Sequence, residues 1–392
     1  MRIAIVGGKL QGVEAAYLAK KAGWEVTLID KKSWVPAAKL CDSLYSFDVT
    51  KGIESISLLE EIDLIIPALE NQEALDCLMR SADFACIPFL FDRDAYAVSS
   101  SKITSNDLFA RTRVPAPIPW PQCGFPIIVK PSVSSGSVGV CKLNSIQEFQ
   151  RFSAEMDLSD WVIEEYLEGP SYSLEVIGFA GIYKVLQITE LHMDELYDCK
   201  RVVGSAILSG ELREQFEQIG LDLARSLSLN GIMDIETILH QGQLKVLEID
   251  ARLPSQTPIA VYHATGINML EILGQAFVQG KPWQEFKVLE KRGVVFEHIH
   301  VLNDCLKISG EHIMADAGPL SLDRDFFGAD EALTNYTPGK TEWVATLINT
   351  GVNCQDAWDK RSNVLQKIRK ECGIQYYLDP YPVIGVMNQS HE

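Results

Sequence analysis

One segment of this 392-residue chain, residues 231–258, constrains the fold more than any other. Two apolar runs, at 231–239 and 244–250, flank a turn that contains Gln241 and Gly242, a pattern that predicts a β-hairpin. Residues that face each other in an antiparallel pair have a constant sum of their numbers. An odd-length loop around Gly242 would therefore place acidic residues opposite one another. The hairpin would then carry like charges on one face, which is unfavourable unless something compensates.

Four acids and one arginine lie on that predicted face. Glu236 would lie opposite Glu248. In the same register Asp234 would lie opposite Asp250, and Arg252 would follow one pleat further along the second strand. A divalent cation is the simplest compensation for opposed carboxylates, and a solvated acidic surface is the alternative. Arg252 and the irregular loop after it favour a site for a metal ion and an anion.

The rest of the chain predicts two kinds of sheet. The first ninety residues alternate strand and helix patterns, which is typical of a parallel βαβ sheet, with strands at 3–6, 25–30, 63–67 and 86–91 and a helix at 13–22. The proline-rich segment 115–121 predicts an extended connection. A mixed α+β region should follow, with strands at 127–130, 161–165, 173–179, 183–189 and 294–301 and helices at 145–152, 212–227 and 356–371.

Composition excludes several classes of protein. The chain has 53 Asp and Glu against 35 Lys and Arg, a formal charge of −18, whereas nucleic-acid-binding proteins are basic. No apolar run approaches the roughly 20 residues of a membrane helix, and the apolar stretch at residues 3–6 is shorter than we expect of a signal peptide. The nine cysteines are scattered without a CxxC pair, which is typical of reduced thiols. We therefore expect a cytoplasmic protein with neither a nucleic-acid partner nor a membrane partner.

A glycine-rich turn, Gly-Gly-Lys-Leu-Gln-Gly at residues 7–12, lies between the first strand and the first helix. With Asp30 at the end of the second strand, it suggests the dinucleotide site of an NAD-dependent oxidoreductase. The G-x-G-x-x-G fingerprint, however, needs glycine where this chain has Lys9. The other interpretation is a tight turn before a helix whose N-terminus can bind an anionic group.

Glu236 followed by Glu248-Ile-Asp250-Ala-Arg252 resembles the E…E-x-N-x-R signature of the ATP-grasp carboxylate–amine ligases, with Asp250 where the family often has Asn. The resemblance implies an ATP-grasp fold that follows an N-terminal Rossmann-like parallel-sheet domain, a mixture of α/β and α+β structure. It also implies that Glu236, Glu248 and Asp250 hold two Mg²⁺ ions between the phosphates of ATP. Arg252 would be catalytic, stabilising the acyl phosphate and the oxyanion.

Other motifs match the family in order along the chain. Lys102 and Lys130 match the two lysines that bind ATP, and the Ser- and Gly-rich segment 132–139 resembles the loop that closes over the triphosphate. Residues 164–167 resemble the hinge that binds adenine. The resemblance thus implies an ATP site formed by Lys9, Leu10, Lys102, Lys130, Ser137, Glu164, Glu165, Tyr166 and Leu167.

Longer motifs, at residues 7–12, 90–96, 174–178, 197–199, 231–234 and 248–258, resemble one branch of the family. This branch contains the ligases of pyrrolysine biosynthesis, which join 3-methyl-D-ornithine to lysine. The resemblance implies that ATP phosphorylates the methylornithine carboxylate and that the ε-amine of lysine then attacks, giving methylornithyl-lysine, ADP and phosphate. The residues expected to bind the two cationic amino acids are Glu70, Glu175, Asp198, Arg252 and Ser255.

Several alternatives stay open at this point. The chain could be an ATP-grasp enzyme for another amino-acid pair, a biotin-type carboxylase or a non-catalytic nucleotide-binding module. The expected domains are an N-terminal unit at 1–95, an ATP-grasp domain at 96–290 with a lid at 115–170, and a C-terminal α/β domain at 291–392. A homodimer is the default expectation because C₂ dimers are the commonest oligomers.

Overall fold

The computed structural model describes residues 1–52, 61–133, 139–204, 208–286 and 291–382, without the side chain of Glu155. Ser137, expected to contact ATP, lies outside the described residues. The described chain forms three sheets, of four, three and eleven strands. Of the described helices, none combines the length and the apolar character that crossing a membrane requires.

The N-terminal sheet is parallel, as the alternating pattern predicts. Its strands are β1 (Arg2–Val6), β2 (Glu25–Asp30), β3 (Ser43–Ser46) and β4 (Leu64–Pro67), and its helices are α1 (Leu10–Lys21) and α2 (Gln72–Ala85). The strand predicted at 86–91 is wrong, because this segment makes only an isolated bridge between Phe89 and Ile65. Pro88 has no N–H and can only accept a hydrogen bond, from the Ile65 amide.

A three-stranded antiparallel sheet lies within the expected lid. It consists of β5 (Ile127–Pro131), β6 (Cys141–Leu143) and β7 (Trp161–Glu165), with α5 (Ile146–Glu155) following β6. Two further helices, α3 (Arg93–Ser99) and α4 (Lys102–Thr112), precede it. The core of this small unit is separate from the others and includes Ile127, Val129 and Leu143.

The largest sheet has eleven strands. Its strands are β8 (Ser171–Phe179), β9 (Ile182–Met193), β10 (Cys199–Gly204), β11 (Gly231–His240), β12 (Gln243–Asp250), β13 (Gly293–Leu302), β14 (Cys305–Ile308), β15 (Ser321–Arg324), β16 (Glu331–Thr334), β17 (Glu342–Gly351) and β18 (Tyr376–Leu378). Its helices are α6 (Gly210–Leu227), α7 (Thr257–Thr265), α8 (Met269–Gln279), α9 (His312–Ala315) and α10 (Cys354–Glu371).

The C-terminal strands extend this same sheet rather than forming one of their own. Strand β13 pairs with β10, so the sheet continues across residue 290, where a domain boundary was expected. A buried ion network reinforces this seam: Arg201 donates to Glu297 at 2.6 Å, and Arg361 donates to Glu297 at 2.8 Å. Asp379, near the end of the described chain, lies 2.9 Å from Arg201.

The predicted register of the acidic hairpin is confirmed, although its cause differs from the prediction. Glu236 lies opposite Glu248, and two residues away Asp234 lies opposite Asp250. The loop is an even, two-residue turn in which both central residues have positive φ, as type I′ turns require. Near the turn the register is therefore one residue off. A β-bulge at Leu247 then inserts the extra residue that brings the acids into opposition.

Candidate active site

A cavity of about 380 Å³ collects residues from the two antiparallel sheets and, from the N-terminal unit, residues of α1 and of the loop after β4. The sequence-predicted site residues that line it are Leu10, Glu70, Lys102, Lys130, Glu164, Glu165, Tyr166, Leu167, Asp198, Glu236, Glu248, Asp250, Arg252 and Ser255. Two predicted residues, Lys9 and Glu175, are not among the lining residues. Lys9 is exposed at the start of α1, and Glu175 is fully buried in β8 beneath the cavity wall.

Three neighbouring strands form the acidic wall. Asp234 in β11 lies between Glu175 in β8 and Asp250 in β12, so three carboxylates stand side by side across the sheet. Burial raises the pKa of Glu175 to about 7. Burial also raises the pKa of Asp234 well above its usual range, and the neighbouring Asp250 adds to this rise. Asp234 Oδ1 and Glu175 Oε2 are buried and accept no hydrogen bond from the described residues.

The next row of the wall holds the opposed glutamates. Burial raises the pKa of Glu236 to about 8, and the charge of Glu248 contributes to this rise. Burial also raises the pKa of Asp250 to about 6, with Arg252 acting in the opposite direction. Like charges in a poorly solvated wall favour protonation or the arrival of cations. The wall is therefore suited to receiving positive charge.

Basic side chains contact these acids within the cavity. Lys102 Nζ lies 3.1 Å from Glu248 Oε1. Arg252 lies between two carboxylates, with Nη2 2.9 Å from Asp250 and Nε 3.0 Å from Glu70. This places a guanidinium, five N–H donors in a planar fork, beside the acidic row. The guanidinium of Arg252 can therefore stabilise an anion while Glu70 and Asp250 fix its position.

The opposite end of the cavity is partly apolar. Ile128, Val140, Leu167, Ile238 and Leu247 line it.

At this end Lys130 and Glu164 form a buried ion pair, with Nζ 2.6 Å from Oε1. The carboxylate of Glu165 forms an ion pair with Lys245. Lys142 Nζ lies 3.6 Å from the centre of the Tyr166 ring. An apolar slot edged by lysines is suited to a planar heterocycle that carries a charged chain.

The sequence did not indicate the contribution of the C-terminal part to this cavity. Glu311 and His312 line it, and His312 Nδ1 lies 2.8 Å from Asp198 Oδ2. Burial raises the pKa of Glu311, and its Oε2 accepts no hydrogen bond from the described residues. The available signal was Gly310, where a Cβ would lie 2.0 Å from Asp198. A glycine forced by close approach marks a packed position, but one sequence does not reveal what approaches it.

Neighbouring residues of the chain pack closely against the glycine-rich turn at residues 7–12. Gly7 has φ +106°, and a Cβ there would lie 2.3 Å from the carbonyl oxygen of Ala68. A Cβ on Gly8 would lie 2.4 Å from Val35. The Gly8 amide donates to Asp30 at 2.8 Å, so this carboxylate serves the turn instead of a ribose. These contacts favour a tight strand-to-helix turn over a dinucleotide site.

The acidic wall fits magnesium bound together with a nucleotide. Among the described residues, no three His, Cys, Asp or Glu side chains are arranged as a complete cation site. Mg²⁺ typically takes one or two carboxylates and fills its remaining positions with waters and substrate phosphates. The opposed Glu236 and Glu248, next to the unpartnered oxygen of Asp234, supply carboxylates of this kind. The residues present therefore fit the ion when phosphate groups share it.

Two family models match the chain in the order that the fold suggests. A PylC-like N-terminal domain matches residues 3–85, and an ATP-grasp domain matches residues 99–256.

Solved structures share the fold. The biotin carboxylase domain of Hydrogenobacter thermophilus 2-oxoglutarate carboxylase aligns with a TM-score of 0.73 and 15% identity, over 93% of this chain and 89% of that one. An L-amino acid ligase from Bacillus licheniformis aligns with a TM-score of 0.67 and 14% identity, over 93% and 97%.

Relatives with higher identity match nearly the whole chain. The 3-methyl-D-ornithine–L-lysine ligase of Methanosarcina barkeri is 40% identical over 381 residues, which cover 95% of this chain and 98% of the relative. The enzyme of the same name from Methanosarcina acetivorans is 36% identical over 377 residues, again 95% and 98%. The chain therefore belongs to the ATP-grasp ligases, in the family that includes the 3-methyl-D-ornithine–L-lysine ligases of Methanosarcina.

Proposed function

We propose that the chain activates the carboxylate of 3-methyl-D-ornithine as an acyl phosphate and joins it to the ε-amine of L-lysine. The products are methylornithyl-lysine, ADP and phosphate, and the reaction belongs to pyrrolysine biosynthesis. The observation that carries this proposal is a cavity that holds Lys102, Lys130, an acidic wall and Arg252, in a chain similar over nearly its whole length to enzymes of that name.

The phosphate chain of ATP would lie between the acidic wall and the two lysines. Lys102 and Lys130 provide ammonium groups for its oxygens, while Glu236, Glu248 and Asp250 provide carboxylates for magnesium. When bound, Mg²⁺ neutralises phosphate charge and makes the γ-phosphorus a better electrophile. Without that neutralisation, the carboxylates would repel the nucleotide. The raised pKa values of Glu236 and Asp250 support this assignment.

Adenine would occupy the apolar end of the cavity. The amides of Glu165 and Tyr166 already donate to the carbonyl oxygens of Ile118 and Pro126. The Leu167 amide is therefore our candidate donor to the base. Lys9 lies outside the lining and is the weakest candidate among the predicted ATP contacts.

The amino-acid substrates would bind near Arg252. The guanidinium can stabilise charge on the acyl phosphate and on the tetrahedral oxyanion formed when the amine attacks. Both substrates carry ammonium groups, and Glu70, Asp198 and Glu311 provide carboxylates within the same cavity. Ser255 adds a hydroxyl nearby. Glu175, which lies behind the lining, would act on this region only through Asp234.

ADP release across a matrix of amino-acid pairs tests the proposal. The purified chain is supplied with ATP, Mg²⁺ and each pair drawn from 3-methyl-D-ornithine, D-ornithine, L-ornithine, L-lysine and L-alanine. We expect the highest kcat/KM for 3-methyl-D-ornithine with L-lysine, together with a product whose mass is the sum of the two substrates less one water. Amide formation from another pair only, with none from this pair, would assign a different substrate class.

The proposal also covers the domain boundaries, the cellular location and the oligomeric state. We keep units at 1–95, 96–290 and 291–392, with a lid at 115–170, although the last two share one sheet. We propose a cytoplasmic location, which the nine free cysteines support because cytosolic thiols stay reduced. We also propose a homodimer, which light scattering of the purified chain would test against a mass of 43.6 kDa per protomer.

A further inference from the structure

The loop that follows Arg252 contains a strained turn. Gln256 has φ +73° and ψ −56°, and the Thr257 amide donates to the carbonyl oxygen of Ser255 at 2.9 Å. These values define a γ-turn of the positive-φ form, which is rare and strained for a residue with a side chain. Such a conformation persists only where surrounding contacts hold it.

Those contacts come from the first helix of the chain. Glu14 in α1 is 2% exposed and accepts two backbone hydrogen bonds, from the Gln256 amide at 3.2 Å and from the Ile259 amide at 2.6 Å. Helix α7 begins directly after Gln256, whose side chain does not cap it, and Pro258 in its first turn has no N–H. Glu14 is therefore the capping carboxylate of α7, supplied from more than 240 residues away.

The γ-turn presents side chains to the active site. Ser255, Gln256 and Thr257 all line the cavity, and Gln256 Nε2 also donates to the Cys199 carbonyl at 3.2 Å. Helix α1 also contributes to the lining, through Leu10 and Gln11. One buried carboxylate thus joins two segments that line the cavity.

We propose that Glu14 is a positioning residue of the ligase, whose carboxylate holds the γ-turn at Gln256 and thereby sets Ser255 and Gln256 against the amino-acid substrates. The inference rests on the proposed function for the identity of those substrates. Glu14 itself does not line the cavity, so it acts only through the turn. Loss of one of its two acceptor oxygens should loosen amino-acid binding while leaving the nucleotide end unchanged.

The test compares Glu14→Gln with Glu331→Gln. The first variant keeps the size of the side chain but turns an NH₂ group towards one of the two amides, so one hydrogen bond is lost. We expect the KM of at least one amino-acid substrate to rise about 5- to 100-fold, the range set by strain of this kind, with the KM for ATP changed less than about twofold. An unchanged KM for both amino acids would overturn the proposal.

Glu331 is a matched control because it also joins α1 to distant elements. It is 7% exposed, accepts from Tyr17 and lies 2.5 Å from Lys21. It does not line the cavity. We expect Glu331→Gln to lower the melting temperature as Glu14→Gln does, but to leave every KM unchanged. Equal rises in KM for both variants would mean that Glu14 only stabilises the fold.

Hydrogen exchange separates this inference from the proposed function. Mass spectrometry of the peptide spanning residues 253–262 reports the Gln256, Thr257 and Ile259 amides without any substrate. We expect faster exchange of this peptide in Glu14→Gln but not in Glu331→Gln. A wild-type chain that joins no amino-acid pair would refute the proposed function, and this exchange result would still decide whether Glu14 holds the turn.

Discussion

Replacing Glu248 with glutamine should stabilise the ligand-free protein while disabling it. Glu248 faces Glu236 directly across the hairpin and also lies 3.1 Å from Lys102. The substitution removes a like-charge repulsion and one ion pair together. Glu195→Gln is the matched control, because Glu195 lies 2.6 Å from Lys307, is 30% exposed against 32% for Glu248, and faces no acid across a strand.

The size of each effect follows from the geometry. Opposed side chains on paired strands lie about 5 Å apart, where two unit charges repel by about 3 kcal/mol at an effective dielectric constant near 20. Exposure of Glu248 and proton uptake by Glu236 reduce this to roughly 1–2 kcal/mol. The lost ion pair costs about 0.2–1 kcal/mol in either variant. Glu248→Gln should therefore be at least as stable as the wild type, and Glu195→Gln slightly less stable.

Magnesium and ATP should reverse this order. Ligand at about 100 times its Kd stabilises the folded state by about 2.7 kcal/mol, and a 100-fold loss of affinity reduces this to about 0.4 kcal/mol. Thermal denaturation with and without MgATP measures both effects, and ADP release should fall at least about 100-fold in Glu248→Gln. An unchanged MgATP shift in this variant, or a ligand-free loss of stability larger than that of Glu195→Gln, would refute the reasoning.

Four other substitutions probe the remaining contacts. Arg252→Ala should lower kcat about 10²- to 10³-fold in the ADP-release assay, because it removes the guanidinium that we propose stabilises the developing oxyanion. Lys130→Met should raise the KM for ATP and destabilise the fold by about 3–5 kcal/mol, since Glu164 is left as an unpaired buried charge. Adding Glu164→Gln should restore stability in urea denaturation but not ATP binding. Glu297→Gln should cost about 3–5 kcal/mol in the same denaturation assay, because Arg201 and Arg361 lose their shared carboxylate.

The acidic hairpin was predictable from the sequence only in part. The hairpin itself was predictable because two apolar runs and a turn signal define a strand pair. The bulge at Leu247 was not, since nothing in an apolar run distinguishes the residue that will be left unpaired. The prediction reached the correct register by assuming an odd-length loop, whereas the chain has an even loop followed by a bulge. An odd loop and a bulge each shift the pairing of the two strands by one residue, so both place Glu236 opposite Glu248.

The C-terminal part was harder to predict because its signals are non-local. Strand periodicity placed β13 well, but it does not indicate that β13 pairs with β10, where Arg201 lies opposite Glu297 inside the sheet. Likewise the local sequence does not indicate that Asp198 packs against Gly310, next to Glu311. Charged residues normally indicate solvent exposure, and that rule fails where two distant segments bury opposite charges together.

The charges around the cavity restrict which ligands can fill it. Nine Asp and Glu line it against four Lys and Arg, and Asp234, Glu236 and Glu311 have no ion-pair partner among the described residues. ATP alone would add negative charge to a negative site, so nucleotide binding requires divalent cations beside Asp234 and Glu236. Glu311 lies near Arg252 at the substrate end, and an ammonium group of a substrate would be a suitable partner for its carboxylate. Two cationic amino acids satisfy that requirement better than bicarbonate, the anion bound by the biotin carboxylase domain that shares this fold.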